Sequence, residues 1–428
     1  MTKLALVTTE ILPPFSVPCA GGGVRAWGLG ETLRKAGIEV TYLIPGPVLG
    51  AHSLPLDIPI QPFTPELLHQ MLESGAWDVV LFEQWQPLTF LQKALSIPVI
   101  ADLPGPLIME YYWRDPQYYY QHIVDKVECL AKADYFLCAL ERQRGYYQAW
   151  QTWAGVAPEE DRLAVMPFCF PSMPFSRQGF VEDEPLFFWG GMFWPWQERF
   201  EAFTVMTQTL QQVRHGQMVV VGGGPDGEAA NPAYQAFRDH PYVSWLGNLC
   251  FAEYVCELKR AAVAVDVCHP TVERTLSSDL RTGTSLWAGV PCLVSRESAW
   301  AAAIEAHNAG WVLPYGDAKA LRHLTKDIAL DRGDLIANRR GARALSEQIS
   351  TPLSTHPLLD WLENPQKRQP QPVFFAARGE DREQRLRELR QELDRLRFER
   401  DNLLHDLDAI RSKPLFRLYK SLKSFFQS

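Results

Sequence analysis

A chain of 428 residues is longer than one ordinary hydrophobic core supports and implies two globular domains with an extension. Its 46% apolar and 21% charged residues suit a folded water-soluble protein, and a formal charge of −8 argues against a nucleic-acid binder, because phosphate backbones demand a basic surface. The eight cysteines, spread from Cys19 to Cys292, include no Cys-x-x-Cys pair and no metal-ligand spacing with histidine, so reduced thiols in a cytoplasmic protein and no metal are expected. The opening MTKLALVTTE is too short in its apolar run for a signal peptide, and no stretch approaches the roughly 18 apolar residues of a membrane span.

In chain order, LALVT at 4–8 reads as a buried first strand, and a loop with Pro13, Pro14 and Pro18 leads to Gly21, Gly22 and Gly23. The glycine run opens a helix with Ala26, Leu29, Gly30, Leu33 and Ala36 on one face, and Gly37 stops it. A second strand follows at 40–44. Glycines at a strand-to-helix turn let the backbone approach a phosphate or a sugar, so Gly22, Gly23 and the adjacent Arg25 are candidate binding residues; a ligand-free loop is the alternative. The Gly-x-Gly-x-x-Gly spacing is missing, which argues against a nicotinamide oxidoreductase.

Two further strands, WDVVLFE at 77–83 and IPVIAD at 97–102, each end in a carboxylate. In a parallel sheet Glu83 and Asp102 face one crevice, where Asp102 could serve as general base on an acceptor hydroxyl. An Asp before a Pro-Gly turn is also an ordinary turn residue. Glu110 falls on the first turns of the next helix, on the same side. A helix and strand follow at 127–137, and the Pro-rich, poorly periodic stretch 168–185 is the expected interdomain linker.

The pattern then restarts. LFFW at 186–189 ends in Gly190 and Gly191, QMVVV at 217–221 ends in Gly222 and Gly223, and VSWLG follows at 243–247. The stretch 261–291, AAVAVDVCHPTVERTLSSDLRTGTSLWAGVP, runs from a buried strand into a polar, helix-opening turn. Ser277 or Ser278 is expected to cap that helix, leaving a positive dipole end, and Arg281 one turn in could add a forked cationic donor for phosphate. Polar caps occur at any such strand end, but the charges of Glu273, Arg274 and Arg281 are costly there unless paired or occupied. Two runs of strand, glycine turn and helix imply an α/β protein of two doubly wound Rossmann-like domains facing a cleft.

Together GGGVRAWGLGETLRKAGIEVTYL, the GGM turn, VVVGGGP, SWLG, WAGVPCLVS and AGWVLPYGD resemble the GT-B glycosyltransferases, in particular the retaining glycogen synthase-like and sucrose synthase-like group. WGGMFWPW, DLPGPLIMEYYW and ERTLSSDLRTGTSLWAGVP resemble more narrowly the bacterial transferases of surface-polysaccharide pathways. The resemblance spans about residues 1–363. It implies transfer of a sugar from a nucleotide diphosphate donor, a co-substrate, to a glycan or lipid-linked acceptor, without a metal or other cofactor. Residues 1–172 would present the acceptor, on the side of Glu83 and Glu110, and 173–366 would hold the donor. Glu273 would contact the donor sugar or orient the transition state. Gly22, Gly23, Arg25, Gly191, Gly223, Arg274, Ser277, Ser278, Arg281 and Thr284 would line the donor, with Arg281 neutralising the leaving diphosphate.

The chain also departs from that pattern. Of the group's two glutamates separated by seven residues, Glu273 stands for the first only if a few residues are inserted, and the second falls near the uncharged Thr284. The usual arginine and lysine on the diphosphate fall at Met192 and about Gln197. Each lost charge-assisted contact costs about 1.5–3 kcal/mol, and Arg281 with Arg274 or Arg25 is the expected replacement. A catalytically silent GT-B scaffold subunit, or a GT-B epimerase, is the alternative. Retention or inversion stays open while Asp102 can act as a base.

Beyond a polar linker at 367–378, Leu386, Leu389, Leu393, Leu396, Leu403, Leu407 and Ile410 form a heptad seam, expected as a coiled coil over 379–412 that would make a homo-oligomer. In the tail at 413–428, Leu415, Leu418, Leu422 and Phe425 share one face and Lys413, Arg417, Lys420 and Lys423 the other. A basic amphipathic end suits peripheral contact with the inner face of an anionic membrane.

Overall fold

The computed structural model describes residues 1–50, 58–157, 159–170, 184–197, 199–223, 232–330, 334–349 and 356–369. The expected coiled coil and basic tail, and most of the linker before them, lie outside these residues. Seven strands make the first sheet: β1 (Lys3–Val7), β2 (Glu39–Pro45), β3 (Ile60–Phe63), β4 (Val79–Glu83), β5 (Val99–Leu103), β6 (Tyr135–Cys138) and β7 (Leu163–Val165). Their order is β3-β2-β1-β4-β5-β6-β7, every neighbour parallel. Six strands make the second: β8 (Leu186–Met192), β9 (Gln217–Gly223), β10 (Val243–Gly247), β11 (Val263–Asp266), β12 (Cys292–Ser295) and β13 (Gly310–Leu313). They run β10-β9-β8-β11-β12-β13, again all parallel.

The two-residue period of an extended chain sorts each strand's side chains onto opposite faces, and both faces are covered. Ala5 and Val7 join Val80 and Phe82 in one core, while Leu4 and Leu6 join Val79 and Leu81 in the other. The second sheet divides likewise, with Phe187, Trp189 and Val265 on one face and Phe188 and Ala264 on the other. This explains why the strands read as nearly unbroken apolar runs in the sequence. In each sheet the order reverses once, between β1 and β4 and between β8 and β11, and a crevice opens there at the carboxyl ends of the strands.

An apolar cluster joins the two lobes: Val24, Ala139, Phe168 and Phe170 pack with Phe251, Val255 and Trp287, and Phe170 stacks on Trp287 at 5.4 Å. Gln143 ties them further, its Nε2 donating to the carbonyls of Pro104 at 2.9 Å and Leu276 at 2.6 Å. The helix His356–Glu363 lies on the first lobe, although its place in the chain falls within the span expected for the second. Leu358 and Leu362 enter the first core, and Trp361 stacks on Tyr135 at 4.7 Å. The chain beyond it docks on the same lobe, where Asp134 accepts from the Arg368 amide at 2.7 Å and Lys367 Nζ at 3.1 Å. Among the described residues no helix is long and apolar enough to cross a membrane.

Candidate functional site

Asp266 ends β11 at the crevice of the second sheet and is buried. It accepts from Arg274 Nη2 at 2.5 Å, Arg281 Nη1 at 2.7 Å and Thr282 Oγ1 at 2.9 Å, with Arg199 Nη1 at 3.6 Å. Burial opposes its ionisation, but Arg274, Arg281 and Arg199 outweigh that and hold the carboxyl well below the usual carboxylate range. Arg274 also ion-pairs with Asp279 at 2.8 Å, so its charge is spent within the lobe. Three guanidiniums thus meet two aspartates, an excess of positive charge at the strand ends.

Arg199 was not among the residues singled out from sequence. It is wholly buried; its Nε donates to the Gln197 carbonyl at 3.1 Å and its Nη2 to Gln197 Oε1 at 2.7 Å, while Nη1 lacks a hydrogen-bond partner. Burial, then the neighbouring Arg281, push it down to about 10, which leaves it cationic at neutral pH. Arg199 and Arg281 each lie 5.0 Å from the Trp189 ring centroid. The sequence signal was present but adjacent: the positions where the group's usual arginine and lysine fall are Met192 and about Gln197, and Arg199 stands two positions beyond the second.

Arg281 does not turn into solvent. Its Nε donates to the Gly190 carbonyl at 2.6 Å, and a Cβ on Gly191, whose φ is +142°, would sit 2.8 Å from Nη2. Gly191 is therefore needed for the arginine to lie against the β8 turn; Gly223, its near neighbour in the ladder, ends β9. The helix Leu280–Trp287 starts at Asp279, in left-handed conformation and without a side-chain cap. Ser277 and Ser278 do not cap it, contrary to expectation. A short helix, Val272–Leu276, intervenes and shifts the start, and Ser277 Oγ instead accepts from the Asp279 amide at 3.4 Å. Thr284 is buried and donates to Leu280 O of its own helix at 2.8 Å, so its one hydroxyl proton is already committed.

In the first lobe Arg25 and Asp102 form a two-pronged pair, Nε to Oδ2 at 2.9 Å and Nη2 to Oδ1 at 2.8 Å, both fully buried. Arg25 Nη1 donates to Pro167 O at 2.7 Å. The pairing corrects two expectations. Asp102 has both oxygens committed and no opening to an acceptor, and Arg25 holds the lobe rather than a phosphate. Asp102→Ala is expected to cost about 3–5 kcal/mol in urea denaturation, because it strands a buried cation, whereas Asp102→Leu combined with Arg25→Met should recover most of that. Turnover per folded molecule should survive in the double variant; its loss would return Asp102 to the chemistry.

Glu83 ends β4 beside the glycine run. Thr8 Oγ1 donates to its Oε2 at 3.3 Å, and Oε1 lacks a partner. A Cβ on Gly22 would lie 3.0 Å from both Glu83 oxygens, and one on Gly23 would lie 1.9 Å from Ile11 O. The glycines thus serve the close approach of these elements. Burial, then Asp102 and Glu10, push Glu83 up to about 8. On the same lobe, burial raises Glu110 to about 7, opposed by Arg114 at 3.5 Å. Burial and the charge of Glu110 raise Glu273 to about 7, and Glu273 Oε2 lacks a partner. Gln197, which accepts from Arg199, lies beside Glu273 and slightly offsets the rise of its carboxyl, linking the acid to the cation cluster.

These raised carboxyls carry a stability penalty. Glu83 loses its proton near 4.5 in the unfolded chain and near 8 in the folded one, so stability should fall as pH rises through that window and stay low above it. Glu83→Gln is expected to raise stability by a few kcal/mol, as an order of magnitude, at pH 8.5 and to leave it unchanged at pH 4. Thermal melts of both proteins across that range check the sign.

No family model matches the chain, and no curated protein is significantly similar to it in sequence. Solved structures match it over most of its length. HepE from Anabaena, in complex with UDP and glucose, superposes with a TM-score of 0.60 at 12% identity, covering 85% of this chain and 100% of that one. WaaG, a glycosyltransferase involved in lipopolysaccharide biosynthesis, gives 0.56 at 14%, covering 83% and 98%. Sucrose-phosphate synthase from Thermosynechococcus elongatus gives 0.53 at 14%, covering 85% and 98%.

The fold is GT-B.

In this GT-B fold Glu110 of the first lobe faces Glu273 of the second, which lies beside the cluster of Arg199 and Arg281 on Asp266, while Glu83 is buried within the first lobe against Thr8 and Gly22. The interlobe gap is bridged at its lip, where Trp113 stacks on Trp196 at 5.6 Å and Arg114 lies 4.9 Å over Trp194. Among the described residues no group of histidine, cysteine and acidic side chains is placed to hold a metal ion.

Proposed function

We propose that this protein is a glycosyltransferase moving a sugar from a nucleotide diphosphate sugar to a hydroxyl of a glycan or lipid-linked acceptor, in the building of a cell-surface polysaccharide. The observation that carries this reading is the surplus of buried positive charge around Asp266, with Arg199 Nη1 lacking a partner, at the crevice of the second sheet. A buried guanidinium whose Nη1 makes only a long ion pair and no hydrogen bond is costly, and a diphosphate would repay it through charge-assisted hydrogen bonds. The same contacts strengthen as the sugar leaves and the diphosphate gains charge, which is what lowers a barrier.

In this mechanism Arg199 and Arg281 hold the diphosphate, helped by the uncapped start of the helix Leu280–Trp287. Glu273, beside Gln197, contacts the donor sugar, and Glu110 and Glu83 face the acceptor. Being neutral or shared between protonation states near pH 7, these acids can donate to sugar oxygens as well as accept from them. The neighbours HepE, crystallised with UDP and glucose, and WaaG support the reading through their shared fold.

The test is thermal stabilisation of the purified full chain by a panel of uridine, guanosine, adenosine and thymidine diphosphate sugars. Stabilisation by at least one is expected, followed by release of the nucleoside diphosphate once an acceptor is added. No stabilisation by any of them would favour the silent scaffold subunit. Nucleotide-sugar turnover without acceptor, releasing a free sugar product, would favour an epimerase.

A further inference from the structure

The helix Leu107–Arg114 and the turns after it carry a run of aromatic side chains that the core does not use. Tyr112 is 59% exposed, Trp113 39%, Tyr118 46% and Tyr120 81%, while Leu107 and Ile108 of the same segment fill the core beneath. The rings brace one another edge to face, with centroids 5.3 Å apart for Tyr112 and Trp113, 5.7 Å for Tyr112 and Tyr119 and 5.8 Å for Tyr119 and Tyr120. Tyr111 anchors the base of the patch, stacked on His122 at 3.8 Å and edge-on to Trp85 at 6.3 Å. Contiguous exposed apolar surface of this kind marks a binding surface, and braced rings lose little freedom when something settles on them.

Two observations choose the occupant. The patch begins at the lip of the interlobe gap: Trp113 touches Trp196, Arg114 touches Trp194, and Glu110, one turn back on the same helix, influences Glu273. It carries no basic surplus, since residues 107–125 set Asp115, Asp125 and the partly protonated Glu110 against Arg114 alone. An anionic lipid surface or a phosphate-rich polymer needs such a surplus. What fits is an uncharged molecule with apolar C–H faces rimmed by hydroxyls, the chemistry of a pyranose ring.

We propose that this patch is a platform for the sugars of an uncharged oligosaccharide acceptor, which would extend from the interlobe gap over Trp113 and Tyr112 toward Tyr120. The proposal rests on the glycosyltransferase reading and narrows its acceptor to a glycan of several residues.

The test is calorimetric titration of the full chain with maltohexaose, cellohexaose, chitohexaose and mannohexaose and with their disaccharides. Thermal stabilisation by nucleotide sugars is measured in parallel. At least one hexasaccharide should bind saturably, with its disaccharide about tenfold weaker or more. Tyr112→Ala combined with Tyr120→Ala should weaken the hexasaccharide about tenfold or more and leave nucleotide-sugar stabilisation unchanged. Both side chains are exposed, so folding should persist, and Tyr118→Ala provides an independent variant. Binding by no hexasaccharide, or equal binding by the variants, overturns the platform. So does loss in the variants of sedimentation with phosphatidylglycerol–phosphatidylcholine vesicles, or of self-association in light scattering, either of which would assign the patch elsewhere. Absence of nucleotide-sugar stabilisation in the unaltered protein would strike the transferase reading while leaving hexasaccharide binding to be read on its own.

Discussion

Replacing Glu273 with glutamine should reduce sugar transfer about 100-fold to 1,000-fold, the loss typical of removing one group aimed at charge developing in a transition state, with the protein still folded. The fold should tolerate the change because Glu273 is a liability to it. The side chain is buried, its Oε2 lacks a partner, and it is held near pH 7 by burial and the facing Glu110. Glutamine keeps the shape and removes the charge, so the melting temperature should stay level or rise at pH 8. Initial-rate assays at saturating donor, beside thermal melts of the same preparations, separate the two effects. Unchanged turnover would take Glu273 out of the mechanism. Glu110→Gln provides the contrast, since a residue on the acceptor side should raise the acceptor KM more than it lowers kcat.

Arg199→Ala should weaken donor binding about 10-fold to 100-fold, because one charge-assisted contact is worth about 1.5–3 kcal/mol and each 1.4 kcal/mol is a factor of ten. Asp266 keeps Arg274, Arg281 and Thr282, so its charge stays compensated and the lobe should remain folded. Arg199→Lys should not restore binding. A lysine cannot hold the Gln197 carbonyl and side-chain oxygen in one planar fork while leaving a further N–H free, as the guanidinium does. Titration calorimetry with the stabilising nucleotide sugar reads both variants. Wild-type affinity in Arg199→Ala would show that the surplus charge has another purpose.

These two residues differ in how far the sequence revealed them. Glu273 stands out because it falls in an abrupt change from an apolar run to a crowded polar turn, a contrast between neighbours in the chain. Arg199 sits in WPWQERF, where nothing local separates it from any other helix-opening arginine. It becomes distinctive only because β8 lies beside β11, which brings Trp189, Asp266 and Arg281 around it. Arg25 and Asp102 fail in the opposite direction. Each resembled a binding group in isolation, and their separation by 77 positions concealed that β5 and the helix Gly21–Lys35 place them in contact, where they satisfy each other.

What the sequence alone determined was most of the parallel strands, though not β3, β7, β12 or β13, together with the glycine turns that end several of them, the division into two doubly wound lobes, and the turn carrying Glu273 and Arg281. All of these are local, because strand burial and helix periodicity are repeats of two and 3.6 residues that any short window displays. Tertiary structure alone decided which charges are spent and which are left over. A charge is neutralised by whatever meets it in space, and in a parallel sheet with helical crossovers the groups gathered at one crevice come from strand ends dozens of residues apart. Only that gathering could turn Asp102 from a free base into half of a buried pair, and Arg199 from an unremarked arginine into a cation lacking a full complement of partners.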